Sequence, residues 1–183
     1  LRFAARLSFR IDGETAAAIH AARTRLRAVA PERLHKELSG ILCGRQAAAL
    51  LEEFSDVLFE LIPELAPCQG FRQYNPHHTR DVWTHTLAVV DGVPPEEPLR
   101  LAALLHDAGK PATFFFDKNL VGHFYGHPAA GAAVTEEVLR RLRYDRATTE
   151  FVTQLVAVHG RPIPDDLRGM RRMLARLGAP VCR

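Results

Sequence analysis

Apolar residues recur at spacings of three and four along most of this 183-residue chain, and this helical period constrains the fold more than any other feature. Leu51, Phe54 and Leu58 show the pattern clearly, and Pro63 ends that segment. Proline, glycine and capping residues divide the remaining chain into further helices. The pattern predicts an all-α protein, with the end of a helix at residues 1–7 and helices over about 13–29, 31–42, 79–91, 98–108, 128–143, 146–159 and 165–177.

Two segments lack the helical period. Residues 66–78 are rich in proline, glycine and asparagine, and they mark the best candidate boundary between a first helical region, residues 1–65, and a second helical domain, residues 66–183. Residues 110–127 combine aromatic and β-branched residues, which predicts a short hairpin or a lid.

Composition narrows the class of protein. A hydrophobic content of 47% with 25% charged residues is typical of a soluble globular protein and excludes a disordered one. We find no apolar run long enough to span a membrane and no secretory leader, so we expect no membrane partner. Cys43, Cys68 and Cys182 fit neither a disulfide framework nor a zinc ribbon, which indicates the reducing cytoplasm.

The net charge of +3 is unevenly distributed. Residues 1–50 hold nine Lys or Arg against four acidic residues, whereas residues 51–110 hold four against ten. Most of the basic residues are arginine, whose planar guanidinium suits phosphate. A GC-rich genome would also favour arginine codons, so the uneven distribution is the better indication of a nucleic-acid partner.

His106 and Asp107 stand side by side at the end of an apolar helix, where two ionisable groups need partners or a metal ion to offset their desolvation. Imidazole nitrogen and carboxylate oxygen together suit divalent ions such as Mg, Mn or Ni. His85 and His159 continue the apolar stripes of two other helices and are therefore predicted to point inward. His127 opens the helix after the irregular segment.

Each histidine alone has a simpler explanation, since an inward histidine is more often a hydrogen-bonded core residue than a ligand. Four histidines on successive helices together with an aspartate are a costly set to place on apolar faces without a shared purpose. The pattern therefore predicts a metal site.

The order His85, His106-Asp107-x-Gly109-Lys110, Gly126-His127 and His159 resembles the HD superfamily of metal-dependent phosphohydrolases. The resemblance implies that His85, His106 and Asp107 bind a divalent metal ion. It also implies a phosphate-side role for Lys110, and a second-metal or phosphate role for His127 and His159. The catalytic set implied in this way is Asp107, Lys110, His127 and His159.

The chain departs from this family at one ligand. HD proteins close the metal site with a distant aspartate, and Asp165 and Asp166 follow His159 too closely to match it. The closing ligand therefore stays unassigned.

The first region carries a second resemblance. The segments Leu1–Asp12 (LRFAARLSFRID) and Glu32–Leu38 (ERLHKEL) are similar to the neck of bacterial class II tRNA nucleotidyltransferases, the CCA-adding enzymes and their poly(A) polymerase relatives. The segment Asp81–Leu87 (DVWTHTL) fits those members that carry an HD domain after the neck. The resemblance implies a neck that contacts tRNA phosphates through Arg2, Arg6, Arg23, Arg27 and Arg33.

The nucleotidyl-transfer head of that family has no equivalent among these residues, so we expect a neck-plus-HD fragment of an enzyme of tRNA 3′-end maturation and repair. By resemblance, the substrates of the HD site would be phosphomonoesters, 2′-nucleotides or 2′,3′-cyclic phosphates. Two alternatives stay open: a self-standing HD nucleotide phosphohydrolase, and a non-catalytic RNA-binding module. The metal identity, the oligomeric state and whether the parent enzyme adds CCA, CC or A are not indicated.

Overall fold

The computed structural model describes residues 1–75 and 79–178. Residues 76–78 of the predicted connection, and Cys182, lie outside these ranges. In the described part, helices account for almost every element, and the one sheet is a hairpin whose two strands have two residues each. The all-α prediction is therefore confirmed.

The first region is built from five α-helices and two 3₁₀ helices. In chain order they are α1 (Arg2–Leu7), α2 (Gly13–Ala22), a 3₁₀ helix (Arg23–Ala28), α3 (Pro31–Leu42), α4 (Ala47–Glu53), α5 (Ser55–Leu61) and a second 3₁₀ helix (Pro63–Cys68). α1 ends at Ser8, which adopts the left-handed conformation with φ 57°. The side chain of Asp12 caps α2 by accepting a hydrogen bond from the Thr15 amide at 3.0 Å.

The predicted helix over 13–29 is α-helical only as far as Ala22. Val29 and Ala30 are extended ahead of Pro31, which disfavours helical geometry in the residue before it. The backbone carbonyls of the last turns therefore have no helical amide four residues later to accept from. They accept from amides three residues later instead, which is 3₁₀ geometry. The predicted segment around residues 50–58 is likewise two helices, interrupted at Phe54.

The second region carries the predicted histidine and aspartate residues at its helix ends. Its elements are α6 (Val82–Gly92), α7 (Glu97–Leu105), α8 (Lys110–Thr113), β1 (Phe115–Phe116), β2 (Gly122–His123), α9 (His127–Arg141), α10 (Arg146–Val158) and α11 (Leu167–Leu177). The strands β1 and β2 pair antiparallel, with Phe115 opposite His123. The hairpin predicted within residues 110–127 is therefore present.

One hydrophobic core runs through both regions. Leu42 and Phe54 from the first region and Leu104 and Val152 from the second belong to the same cluster of buried side chains. α4 packs against α6, α3 packs against α7, and α10 packs against both α9 and α7. The domain boundary between residues 65 and 66 stays a prediction.

Among the residues that the structure describes, no helix is both long enough and apolar enough to cross a membrane.

Candidate metal centre

The ends of four helices bring the predicted polar residues together. The side chain of Asp81 caps α6 by accepting from the Thr84 amide at 2.8 Å, and this cap sets the first turn that carries His85. His106 follows the last residue of α7, and His159 follows the last residue of α10. His127 is the first residue of α9. A helix end directs a side chain into the space between elements, so the four imidazoles face a common point.

That common point is the carboxylate of Asp107, which is 1% exposed. Its Oδ2 atom lies 3.1 Å from Nε2 of His106 and 3.7 Å from Nε2 of His85. Its Oδ1 atom lies 3.6 Å from Nε2 of His127 and 3.7 Å from Nε2 of His159. Each carboxylate oxygen therefore faces its own pair of imidazoles.

Backbone carbonyls fix the orientation of three of these rings. The Nδ1 atoms of His106, His127 and His159 lie 2.7–2.8 Å from the carbonyl oxygens of the residues three positions earlier, which are Ala103, Phe124 and Val156. A carbonyl can only accept, so we assign the proton of each ring to Nδ1. In the neutral rings, Nε2 then carries a lone pair directed towards Asp107. This is the arrangement by which outer hydrogen bonds prepare histidine for metal binding.

The centre is therefore a convergence of acceptors. Nε2 of His127 lies 3.2 Å from Nε2 of His159, and two lone pairs at that distance repel unless a proton or a metal ion lies between them. Oδ2 of Asp107 is buried and lies 2.8 Å from the ammonium of Lys110, a contact without hydrogen-bond geometry. That ammonium balances the carboxylate, whereas the facing Nε2 lone pairs of His127 and His159 still need a cation between them.

The residues present fit a divalent ion. Two groups have ligand atoms within 4.8 Å of one another, namely His85, His106 and Asp107, and Asp107, His127 and His159. Two atoms each about 2.1 Å from an ion can be no more than about 4.2 Å apart, and every separation from Asp107 given above is shorter. Asp165 and Asp166 belong to neither group of described residues.

The protonation states also suit metal binding. Burial acts to raise the pKa of Asp107, but its neighbours, among them the ammonium of Lys110 at 2.8 Å, outweigh burial and hold that pKa well below its usual value. Burial lowers the pKa of His127, which favours the neutral ring. An ionised carboxylate and neutral imidazoles are the forms that ligate metals.

Lys110 lies inside the centre. It is 5% exposed, and its Nζ atom lies 2.8 Å from Oδ2 of Asp107. Nζ also donates a 2.8 Å hydrogen bond to Oε1 of Gln73, whose own Nε2 donates to the carbonyl of Arg80 at 3.0 Å. Sequence reasoning missed Gln73, because a lone glutamine in a connection gives no signal of burial.

A cavity of about 880 Å³ opens over both groups. Its lining includes the five predicted ligand residues and Lys110, together with apolar side chains from α6, α7 and α10 and aromatic residues from the hairpin. The structure thus brings together every predicted catalytic and metal-binding residue. His85 has the most exposed side chain of the four histidines, at 35%, and His159 is exposed as a whole residue. Both therefore form part of the cavity wall and not of the core, although the sequence predicted that they point inward.

The five predicted RNA-binding arginines differ in whether an acidic residue pairs with them. Arg2 pairs with Glu37 at 2.9 Å, Arg23 lies 3.6 Å from Asp56, and Arg27 pairs with Glu60 at 2.8 Å. Arg6 and Arg33 are exposed and make no ion pair within the described part of the chain. The acidic residues of α3 and α5 therefore already neutralise three of the five.

Comparison with known proteins identifies the family. Residues 77–178, more than half of the chain, match the HD domain family. The chain belongs to the HD domain family. In this HD chain, residues 8–68 match a second family, described as "Probable RNA and SrmB-binding site of polymerase A". Both resemblances seen in the sequence are thus confirmed, in the predicted order.

Three curated relatives are similar to the chain over most of its length. The HD chain is 39% identical to a CC-adding tRNA nucleotidyltransferase of Thermus thermophilus, over 80% of the chain and 36% of the relative. It is 34% identical to an A-adding tRNA nucleotidyltransferase of Deinococcus radiodurans, over 96% of the chain and 43% of the relative. It is 32% identical to a multifunctional CCA protein of Ralstonia nicotianae, over 97% of the chain and 44% of the relative. The chain thus spans less than half the length of these relatives.

Proposed function

We propose that this chain is the neck and HD part of a tRNA nucleotidyltransferase of 3′-end maturation and repair, and that its HD centre is a metal-dependent phosphohydrolase. Residues 1–65 would be the neck and residues 66–183 the HD domain. The names of the relatives and the order of the two matched families support the first part. A cytoplasmic location follows from that role.

The observation that carries the hydrolytic proposal is the set of acceptors around Asp107. Both of its oxygens face imidazole Nε2 atoms at 3.1–3.7 Å, and backbone carbonyls hold three of the four rings with Nε2 directed inward. A core histidine without a function would more simply use Nε2 for a hydrogen bond to a neighbour. Here the acceptors are left facing one another, as a cation site requires.

Each residue then has a specific role. His85, His106 and Asp107 would hold one divalent ion, and His127 and His159 would hold a second ion with Asp107 or contact the phosphate. A bound divalent ion supplies an activated water and polarises a phosphoryl oxygen. Lys110, held by Gln73, would offset the negative charge of Asp107 and of the phosphate oxygens. Where no second ion is bound, His127 or His159 would have to carry an additional proton on Nε2, as the imidazolium, to give it to the leaving alkoxide.

The neck would bind tRNA by charge. Arg6 and Arg33 are available for phosphates, whereas Arg2, Arg23 and Arg27 would have to exchange their acidic partners for phosphates. Such exchange is inexpensive at the surface, because exposed ion pairs contribute little to stability.

Metal content and hydrolysis of 2′,3′-cyclic AMP test the proposal together. The manganese- or nickel-loaded chain should release nucleoside monophosphate, and the double change His106→Ala, Asp107→Ala should abolish both bound metal and release. Affinity for tRNA should stay within about twofold. Asp165→Asn is the matched control, since it removes an exposed carboxylate outside both groups.

Two outcomes would contradict the proposal. A wild-type chain that binds tRNA but no transition metal, even after reconstitution, would be a non-catalytic RNA-binding module. A double variant that loses tRNA affinity together with hydrolysis would show that the centre holds the structure and not the chemistry.

A further inference from the structure

Three aromatic rings form a cluster beside the metal centre. The ring centroids of Phe115 and His123 are 5.5 Å apart, those of His123 and Tyr125 are 5.2 Å apart, and those of Phe115 and Tyr125 are 5.4 Å apart. Tyr125 is the most open of the three, with 74% of its surface exposed. Exposed aromatic side chains that lie together form a contiguous apolar patch of the kind that marks a binding surface.

Two members of the aromatic cluster line the same cavity as the metal ligands. His123, Tyr125, His127 and His159 all line it. Gly126 is the one residue between Tyr125 and His127, and its φ of 83° lies in the left-handed region that glycine favours. This turn places the ring of Tyr125 at the cavity mouth, while the side chain of His127 is directed towards Asp107.

Hydrogen bonds hold the hairpin that carries the aromatic cluster. Nε2 of His123 lies 3.1 Å from Oδ2 of Asp117, and Oδ1 of Asp117 accepts from the amides of Asn119 and Val121 at 2.8 and 2.9 Å. Phe124, between His123 and Tyr125 in sequence, is 9% exposed and packs over the ammonium of Lys110. The cluster is therefore in place before any ligand arrives, which reduces the entropic cost of binding.

The chemistry of the cavity indicates what would cover the open ring. Its floor holds a cation site and Lys110, and Arg161 also lines it, so it suits an anionic group. Its mouth offers a planar aromatic face of a kind on which every nucleobase can stack. A ligand with a phosphate at one end and a flat aromatic group at the other fits both features at once.

We propose that Tyr125, supported by His123 and Phe115, stacks on the base of a nucleotide whose phosphoester lies at the histidine–aspartate centre. The position of the phosphate rests on the function proposed above. Stacking on Tyr125 makes the site a nucleotide site with little discrimination among bases, because stacking uses the face of the base and not its edge. The base would come from a free nucleotide or from the terminal residue of an RNA.

Equilibrium binding tests this without turnover. Isothermal titration calorimetry on the manganese-loaded chain would compare adenosine 2′-phosphorothioate, which is slowly hydrolysed, with inorganic thiophosphate, which has no base. We expect the wild type to bind the nucleotide at least about tenfold more tightly than thiophosphate. Tyr125→Ala should remove most of this preference and leave thiophosphate affinity within about twofold, and Tyr125→Phe should retain it.

Leu120→Ala is the matched control, because Leu120 is an exposed apolar residue of the same hairpin, outside the cavity lining. Equal wild-type affinity for the two ligands, no binding of either, or a preference that survives Tyr125→Ala would overturn the inference. Loss of the preference in Ile163→Ala alone would place the base on another wall of the cavity and would also overturn it.

Failure of the hydrolytic proposal would look different. A chain that releases no product from 2′,3′-cyclic AMP, yet needs Tyr125 to prefer the nucleotide analogue, binds nucleotides at this centre without hydrolysing them. That result would leave the role of Tyr125 standing and reject the phosphohydrolase.

Discussion

A single buried carboxylate organises the centre at the scale of residues. Asp107 contacts Lys110 directly, and Gln73 holds Lys110 from the other side. Gln73 is 2% exposed and satisfies the carbonyl of Arg80 with its remaining amide group. One uncharged side chain thus fixes the ammonium that balances the carboxylate, and it joins the connection before α6 to the site.

Replacing Gln73 with methionine should destabilise the protein. Methionine has a similar volume, but it removes one hydrogen bond to a charged donor and one to a backbone carbonyl. The loss should be about 2 kcal/mol of unfolding free energy, measured by urea denaturation. Gln46→Met is the control, since no side-chain hydrogen bond of Gln46 is present in the described residues. Equal unfolding midpoints for both variants would show that Gln73 does not hold Lys110.

Close backbone approach sets the geometry at the scale of elements. A Cβ atom on Gly109 would lie 2.4 Å from the carbonyl oxygen of His127 and 2.5 Å from the amide nitrogen of Gly131. The start of α8 therefore rests directly on the first turn of α9. This contact holds His127 at its distance from Asp107.

Gly109→Ala should therefore separate α8 from α9. Overpacking against backbone cannot be relieved by a rotamer change, so we expect a loss of about 3 kcal/mol in unfolding free energy. Metal content should fall as well, because His127 moves with the start of α9. Gly92→Ala tests the specificity, since a Cβ there meets nothing within 4 Å. A Gly109→Ala protein with the stability and metal content of Gly92→Ala would contradict this account.

At the scale of the whole molecule, the neck and the HD part share a core and are also joined by charge. Arg141 of α9 donates two hydrogen bonds, at 2.6 and 2.8 Å, to the carboxylate of Glu64 in the second 3₁₀ helix. Burial acts to raise the pKa of Glu64, but the Arg141 guanidinium outweighs it and the pKa is lowered. A carboxylate with a lowered pKa in the folded state stabilises the fold above its unfolded pKa.

Acid should remove this contribution. Glu64→Gln should cost about 1 kcal/mol of unfolding free energy near neutral pH, since the pair is partly exposed. The difference from wild type should shrink as the pH falls below the ordinary glutamate value and through the lowered one. Urea denaturation of both proteins across pH 3–7 measures it. Glu137→Gln, which removes a more exposed partner 3.9 Å from the same arginine, should change little at any pH.

Positive charge on the neck should contribute to RNA affinity independently of the RNA sequence. Changing both Arg6 and Arg33 to alanine removes two unpaired cations, so the slope of log affinity for tRNA against log salt should fall by roughly 1.5. Fluorescence anisotropy over a range of salt concentrations measures this slope. Arg146→Ala removes an exposed arginine of α10 and should leave it unchanged. An unaltered slope in the double variant would move the RNA surface away from these residues.

The sequence by itself determined most of the helices and the residues that meet at the centre. Helical period is a local property, so residues 31–42 and 146–158 could be placed to within a residue or two. His106 and Asp107 are informative by type and position, because ionisable neighbours at the end of an apolar helix need compensation. Where local signals compete, as ahead of Pro31, the prediction was less accurate.

Only the tertiary structure decided how these parts face one another. The helical period of apolar residues predicts the buried side of a helix but not the neighbour that covers it. The pairing of each Asp107 oxygen with two imidazoles could therefore not be predicted. The same holds for Gln73, for the acidic partners of Arg2, Arg23 and Arg27, and for the open face of Tyr125. Most of these contacts join residues at least twenty positions apart in sequence, as those of Asp107 with His85, His127 and His159 do. They arise from packing, which no local pattern encodes.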